Sequence, residues 1–135
     1  MSKLANIIIA LRLRITTAGF AISTSVVTDE RDGTPIVMIF EAGDGDKTIL
    51  VSPVYQKSAN LVADLRFRHD NDWLLEGLEY QRTLEEAIFT GAATDSPDSL
   101  DGLALKVEPV KSITSPETEN KMTSVQVHVK ITYRE

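Results

Sequence analysis

Few residues in this chain have the neighbours that chemistry needs. His69 and Asp70 are adjacent, and a histidine beside a carboxylate can be a general base with its orienting partner. Adjacent residues on a strand point to opposite faces, however. Asn71 and Asp72 follow at once, and both are helix-capping types. Turn and cap duty is therefore the reading of His69–Asp72. Asp44 and Asp46 form an Asp-x-Asp pair of the kind that opens a calcium loop. The later Asp or Asn ligand and the closing Glu of such a loop do not follow at the required spacing. A polar hairpin tip is the reading there. The chain has two histidines and no cysteine. That removes thiol nucleophiles, disulfide frameworks, Cys-based zinc sites and His-rich metal sites together. No serine sits in a Gly-x-Ser-x-Gly elbow, and no glycine-rich loop joins a strand to a helix. The expectation is a protein that is not an enzyme, with no catalytic, cofactor-binding or metal-ligating residues.

Charge is the more informative pattern. Glu76, Glu79, Arg82 and Glu86 recur three and four apart, which is a solvated helix face with local ion pairs. Leu75 lies among them, about 200° round the helix from Trp73 at 100° per residue. A lone exposed leucine needs no explanation; a subunit contact is the alternative. Asp64, Arg66 and Arg68 alternate along one strand pattern, Lys106 and Glu108 along a second, and His128, Lys130 and Arg134 along a third. Such a polar sheet face is either wet, as antiparallel sheets often are on one side, or a charge-paired contact with a neighbouring subunit. The candidate subunit-interface residues are Asp64, Arg66, Arg68 and Leu75. Reversing Arg66 to Glu is expected to weaken ring formation and leave the thermal midpoint nearly unchanged.

The elements that hold these residues follow from hydrophobic spacing. Residues 3–17 predict a helix capped by Ser2, with Leu4, Ile7, Ile8, Leu11 and Ile15 on one face and Gly19 at its end. Ile9 and Leu13 fall off that stripe, so the helix is more apolar than one core face requires. Phe20–Val27 predict an edge strand and 28–34 a turn. Pro35–Phe40 are apolar on both faces, as in a central strand covered on both sides. Residues 43–59 predict a mobile loop or long hairpin, with a short strand within 48–54. Residues 60–68 alternate, with Leu61, Ala63, Leu65 and Phe67 inward. A helix from Trp73 to Thr90 places Trp73, Gly77, Tyr80, Leu84 and Ile88 on one stripe, so Trp73 is expected to pack on the sheet. Gly91 and a polar loop over 92–101 follow. A strand with Leu103, Leu105 and Val107 inward comes next, then a polar loop over 112–121. The last strand has Val125, Val127, Val129, Ile131 and Tyr133 inward.

The 135 residues are the usual size of one domain. At 42% hydrophobic and 25% charged they support a packed core. The fold expected over 1–135 is α+β: a single mixed, mostly antiparallel sheet with two main helices packed on one face. The apolar run Ile7–Leu11 is too short to span a bilayer and is followed by Arg12 and Arg14, which predicts neither anchor nor signal peptide and a cytoplasmic location. A net charge of −6 argues against tight binding to a phosphate backbone.

From Pro35 to the C-terminus the chain resembles the tail terminator proteins of long-tailed phages, in particular the lambda type. The likeness rests on four features in order. They are the Pro-initiated strand Pro35–Gly43, the alternating strand Leu61–Phe67 after a long loop, the capped helix, and a strand around Leu105–Glu108 before a terminal strand that closes on Ile131-Thr132-Tyr133-Arg134-Glu135. The N-terminal third is similar only as a helix followed by a strand. The resemblance implies a homohexameric ring on the end of the tail tube. That ring stops tube growth, presents a surface to a head-completion protein, and lets DNA pass through its lumen unread. It further implies no cofactor, no membrane, and a place in the host cytoplasm during assembly and then in the virion tail. The alternatives are another small tail or baseplate protein, or a ferredoxin-like ligand-binding or enzymatic domain.

Overall fold

The computed structural model describes residues 2–23, 35–42, 47–51, 54–89, 104, 106–116 and 121–134. Its elements are α1 (Lys3–Thr17), β1 (Ala21–Ile22), β2 (Ile36–Glu41), β3 (Lys47–Val51), β4 (Val54–Arg68), α2 (Trp73–Ile88), β5 (Lys106–Pro116) and β6 (Met122–Arg134). One six-stranded sheet runs β1-β2-β4-β6-β5, and β3 pairs with the early part of β4. Among the described strands only β1 and β2 are parallel, and the other pairs are antiparallel. The fold is α+β, with both helices on one face of a mixed sheet.

Local chemistry sets the helix ends. The Ser2 hydroxyl accepts the N–H of Ala5, and Gly19 takes φ 102° just past the end of α1, a left-handed conformation that suits glycine. At α2 the Asp72 carboxylate accepts the N–H groups of Leu74 and Leu75. The α2 C-terminus has no basic residue in its last turn. Arg14 of α1 supplies one, donating to the Ile88 carbonyl at 2.8 Å. This bond also ties the two helices to each other.

The core lies between the helices and the near face of the sheet. Ile7, Leu11 and Ile15 of α1 and Leu84 and Ile88 of α2 meet Val37, Leu61, Leu65, Val125, Val129 and Ile131. All five inward residues of the terminal strand are buried. Tyr80 packs on Phe67 with ring centroids 4.5 Å apart and reaches Phe20 at 6.2 Å. Trp73 departs from expectation. It is only half-buried and stands outside the core cluster. It sits in the first turn of α2, next to the exposed bend at Asp70 and Asn71.

Three boundaries also differ from the periodicity reading. The strand expected to begin at residue 60 begins at Val54, because its first turns pair with β3 in a hairpin and with the end of β6. The short strand expected within 48–54 is β3, with a register shift between Ile49 and Val51. The polar loop expected from Ser112 is strand as far as Pro116. A β-bulge explains the last case. Pro109 pairs with Val129 and Lys111 with His128, so Val110 is the extra residue. The inward positions switch from odd numbers, Val107 and Pro109, to even ones, Ser112 and Thr114. The alternation breaks at Val110, and the pattern reads as loop. The turn over 28–34, the hairpin tip at Asp44 and Asp46, the end of the edge strand at 24–27, Gly91 and the loop over 92–101 lie outside the described residues, as do 43–46 and 52–53 of the stretch expected to be mobile.

Candidate functional site

β4 and β6 pair along thirteen positions, Gln56–Arg68 against Met122–Arg134. This long ladder fixes which side chains share the far face of the sheet. Asp64 stands opposite Gln126 and Met38, Arg66 opposite Ser124 and Ile36, and Arg68 opposite Met122. His128 lies between Val62 and Lys111, and Lys130 between Asn60 and Glu108. The three charged strand segments read from the sequence do form one surface.

That surface is not uniformly wet. Asp64 is only 6% exposed, and Val62 and Met122 on the same face are at 1% and 2%. The alternation identifies which residues share a face but not what lies over it. A buried carboxylate must be paired or hydrogen-bonded, and Asp64 is both. Ser124 Oγ donates to Oδ1 at 2.8 Å, and Arg66 Nε lies 3.7 Å from Oδ2. Arg66 is therefore part of the support of a buried charge, with its own side chain 40% exposed. Arg68 is exposed. The Nε2 of His128 is buried with no hydrogen-bond partner. Burial holds the imidazole below its ordinary pKa, and the positive charge of Lys111 adds to the effect.

Leu75 is elsewhere. It is 63% exposed on the outer side of α2, the helix that packs on the near face of the sheet. The four candidate interface residues thus divide between two opposite sides of the molecule. Leu74 and Leu78 are also exposed, at 43% and 45%, so Leu75 belongs to an apolar patch. Arg82 bridges Glu79 at 3.1 Å and Glu86 at 3.0 Å along the same outer side. The far face of the sheet has its own exposed apolar residues, Phe40 and Ile113. The alternation of 36–40 placed Phe40 with Met38 on one face and held the signal for it. Nothing in the pattern revealed Ile113, because the bulge at Val110 hides its parity.

The turn before α2 does structural work. His69 Nδ1 lies 2.7 Å from Thr123 Oγ1, and its N–H donates to the Lys121 carbonyl. The Asp70, Asn71 and Asp72 N–H groups all donate to the Glu76 carboxylate. Those bonds, with that of Asp70 foremost, hold Glu76 below the ordinary carboxylate range. The partner of His69 is a hydroxyl, and the turn and cap reading fits this geometry.

An open cleft of about 510 Å³ separates α2 from β5, with Phe89, Val107 and Val110 as apolar walls and Gln81 and Glu85 on its helix side. Gln81 is already engaged, donating to Glu85 and accepting from Thr114. Among the described residues no group of three or more His, Cys, Asp or Glu is placed to hold a metal ion. No described helix is long and apolar enough to cross a membrane.

Compared with models of known protein families, the chain matches none, and no curated protein matches it. The functional reading therefore rests on residues and geometry.

Proposed function

We propose that this protein is a structural assembly component, a phage tail terminator that forms a ring on the end of the tail tube, stops tube polymerisation and offers a surface for head joining. The observation that supports this reading is the order of elements from Pro35 onward. A Pro-initiated strand, a long alternating strand, an Asp-capped helix and two terminal antiparallel strands stand where the resemblance asks for them. The distribution of side chains agrees with such work. Exposed apolar side chains stand on the outer side of α2, at Leu75 and Leu78, beside the charged residues of that side, as a subunit contact with an apolar centre and a polar rim can use. On this reading the partners are further copies of the chain, the tail tube protein and a head-completion protein, with DNA passing through the lumen and no cofactor required.

The test is tube length. Tail tube protein polymerised with this protein present should give tubes of fixed, shortened length bearing a ring at one end. Electron microscopy of negatively stained tubes reads both properties. Tubes of the same uncontrolled length with and without the protein would remove the assignment.

A further inference from the structure

The second helix is strongly acidic and still leaves leucines in the open. Residues 70–89 carry six acids, Asp70, Asp72, Glu76, Glu79, Glu85 and Glu86, against the one base Arg82, a net of −5. Arg82 is itself held between Glu79 and Glu86. The segments outside the described residues cannot offset this charge, because by sequence 24–34, 43–46, 90–103, 117–120 and Glu135 are each net acidic. In this setting Leu74, Leu75 and Leu78 are 43%, 63% and 45% exposed. An open cleft of about 440 Å³ lies beside Leu75, with Tyr80 and Thr83 in its wall and Glu76 and Glu79 as its acids. The leucines also stand on a well-fixed turn. The Asp72 carboxylate accepts the N–H groups of Leu74 and Leu75, and the Glu76 carboxylate accepts those of Asp70, Asn71 and Asp72. A surface held in place beforehand loses little freedom on binding.

We propose that the outer side of α2 is the docking surface for a basic amphipathic helix of a protein other than this one; this rests on the assembly reading above and narrows it by giving the chemistry of one partner. Charge complementarity selects the occupant. An acidic cover would repel the helix, and a purely apolar one would strip water from carboxylates without pairing them. A helix with an apolar stripe flanked by Lys or Arg meets both needs, its stripe on the leucines and its cations on the glutamates. The shape agrees with a helix. From Leu74 to Glu86 the surface runs about 18 Å at 1.5 Å per residue, and the cleft beside Leu75 is a groove for the ridge of a second helix. A second copy of the chain is a poorer occupant. Two α2 helices would set carboxylates against carboxylates. The cations of α1 are committed, with Arg14 bound to the Ile88 carbonyl and Arg12 Nε buried.

The test uses the whole chain and three labelled synthetic helices of about 18 residues. One has a leucine face flanked by lysines, the second has glutamates for the lysines, and the third has alanines for the leucines. Fluorescence anisotropy reads binding to the wild type, to Leu75→Ser with Leu78→Ser, and to Glu79→Lys. Circular dichroism checks that each variant keeps the wild-type melting profile. The expected result is that the leucine–lysine helix binds best, weakens by about tenfold or more on the double leucine variant, and weakens further as salt rises. Glu79→Lys, at a position open to solvent, should also weaken it. No binding, equal binding of the alanine helix, or binding indifferent to the leucine variant would overturn the proposal. So would sedimentation showing wild-type oligomers that Leu75→Ser dissolves, which gives the surface to a second copy. The outcome is separable from the tube experiment. Leucine-dependent binding with uncontrolled tubes keeps the docking surface and removes the terminator reading, while capped tubes with binding indifferent to Leu75 do the reverse.

Discussion

Arg66 and Arg68 look equivalent in the alternating pattern of their strand, and the structure separates them. Arg66 faces a carboxylate that is 6% exposed, at 3.7 Å. Arg68 is exposed and stands opposite Met122. The expectation that reversing Arg66 leaves stability unchanged therefore does not suit this geometry. Arg66→Glu sets a second negative charge beside a buried one, and leaving a buried charge uncompensated is among the costlier single changes. It should lower the urea midpoint clearly, whereas Arg68→Glu should move it by no more than about 0.5 kcal/mol equivalent, as surface changes generally do. Arg68→Glu is the variant with which to probe assembly. Equal urea midpoints for the two variants would show that Arg66 contributes nothing to the Asp64 site.

At the scale of elements, α2 comes close to the sheet at Gly77. A β-carbon there would press into the Thr114 Cγ2 methyl, and the Thr114 hydroxyl is held in place by its 2.7 Å bond to Gln81. Alanine in a helix interior is worth about 1 kcal/mol over glycine, but overpacking costs about 1–3 kcal/mol. Gly77→Ala should thus destabilise by about 1 kcal/mol net. In a Thr114→Ser background, which removes the methyl and keeps the hydroxyl, the same substitution should turn neutral or stabilising. A double-mutant cycle in urea reads the difference, and additivity of the two changes would show that the helix does not rest on Thr114. The sequence announced α2 and its stripe because periodicity, a capping Asp and amphipathic charge all agree. It announced α1 and the terminal strand for the same reason. It did not announce the second half of β5, since one extra residue at Val110 reverses the alternation and Ser112–Pro116 are polar. Nor did it show that Trp73 is only half-buried, because a stripe gives a direction and not a depth. The site was legible to the same extent. Residues sharing a face could be read from parity, but the burial of Asp64 and the separation of Leu75 from the arginines depend on long-range packing.

For the molecule as a whole, two titrations point the same way and shape its stability against acid. His128 has its pKa below the ordinary 6.5, first because burial disfavours the imidazolium and then because Lys111 repels it. Glu76 lies below the ordinary 4.5, chiefly because backbone N–H groups, that of Asp70 first, favour the carboxylate. In both cases the unfolded chain takes up a proton at higher pH than the folded one. Stability then falls as pH drops from the ordinary value of each group to its folded value. The His128 contribution is complete above the ordinary histidine range and declines below it. The Glu76 contribution is complete above the ordinary carboxylate range and declines below that, weakened because the group faces solvent. Urea midpoints measured from about pH 8 to about pH 3 should therefore fall in two stages, with the near-neutral stage belonging to His128. His128→Gln should flatten the first stage and leave the second, and Glu76→Gln should reduce only the second. A first stage of unchanged size in His128→Gln would assign it to another group.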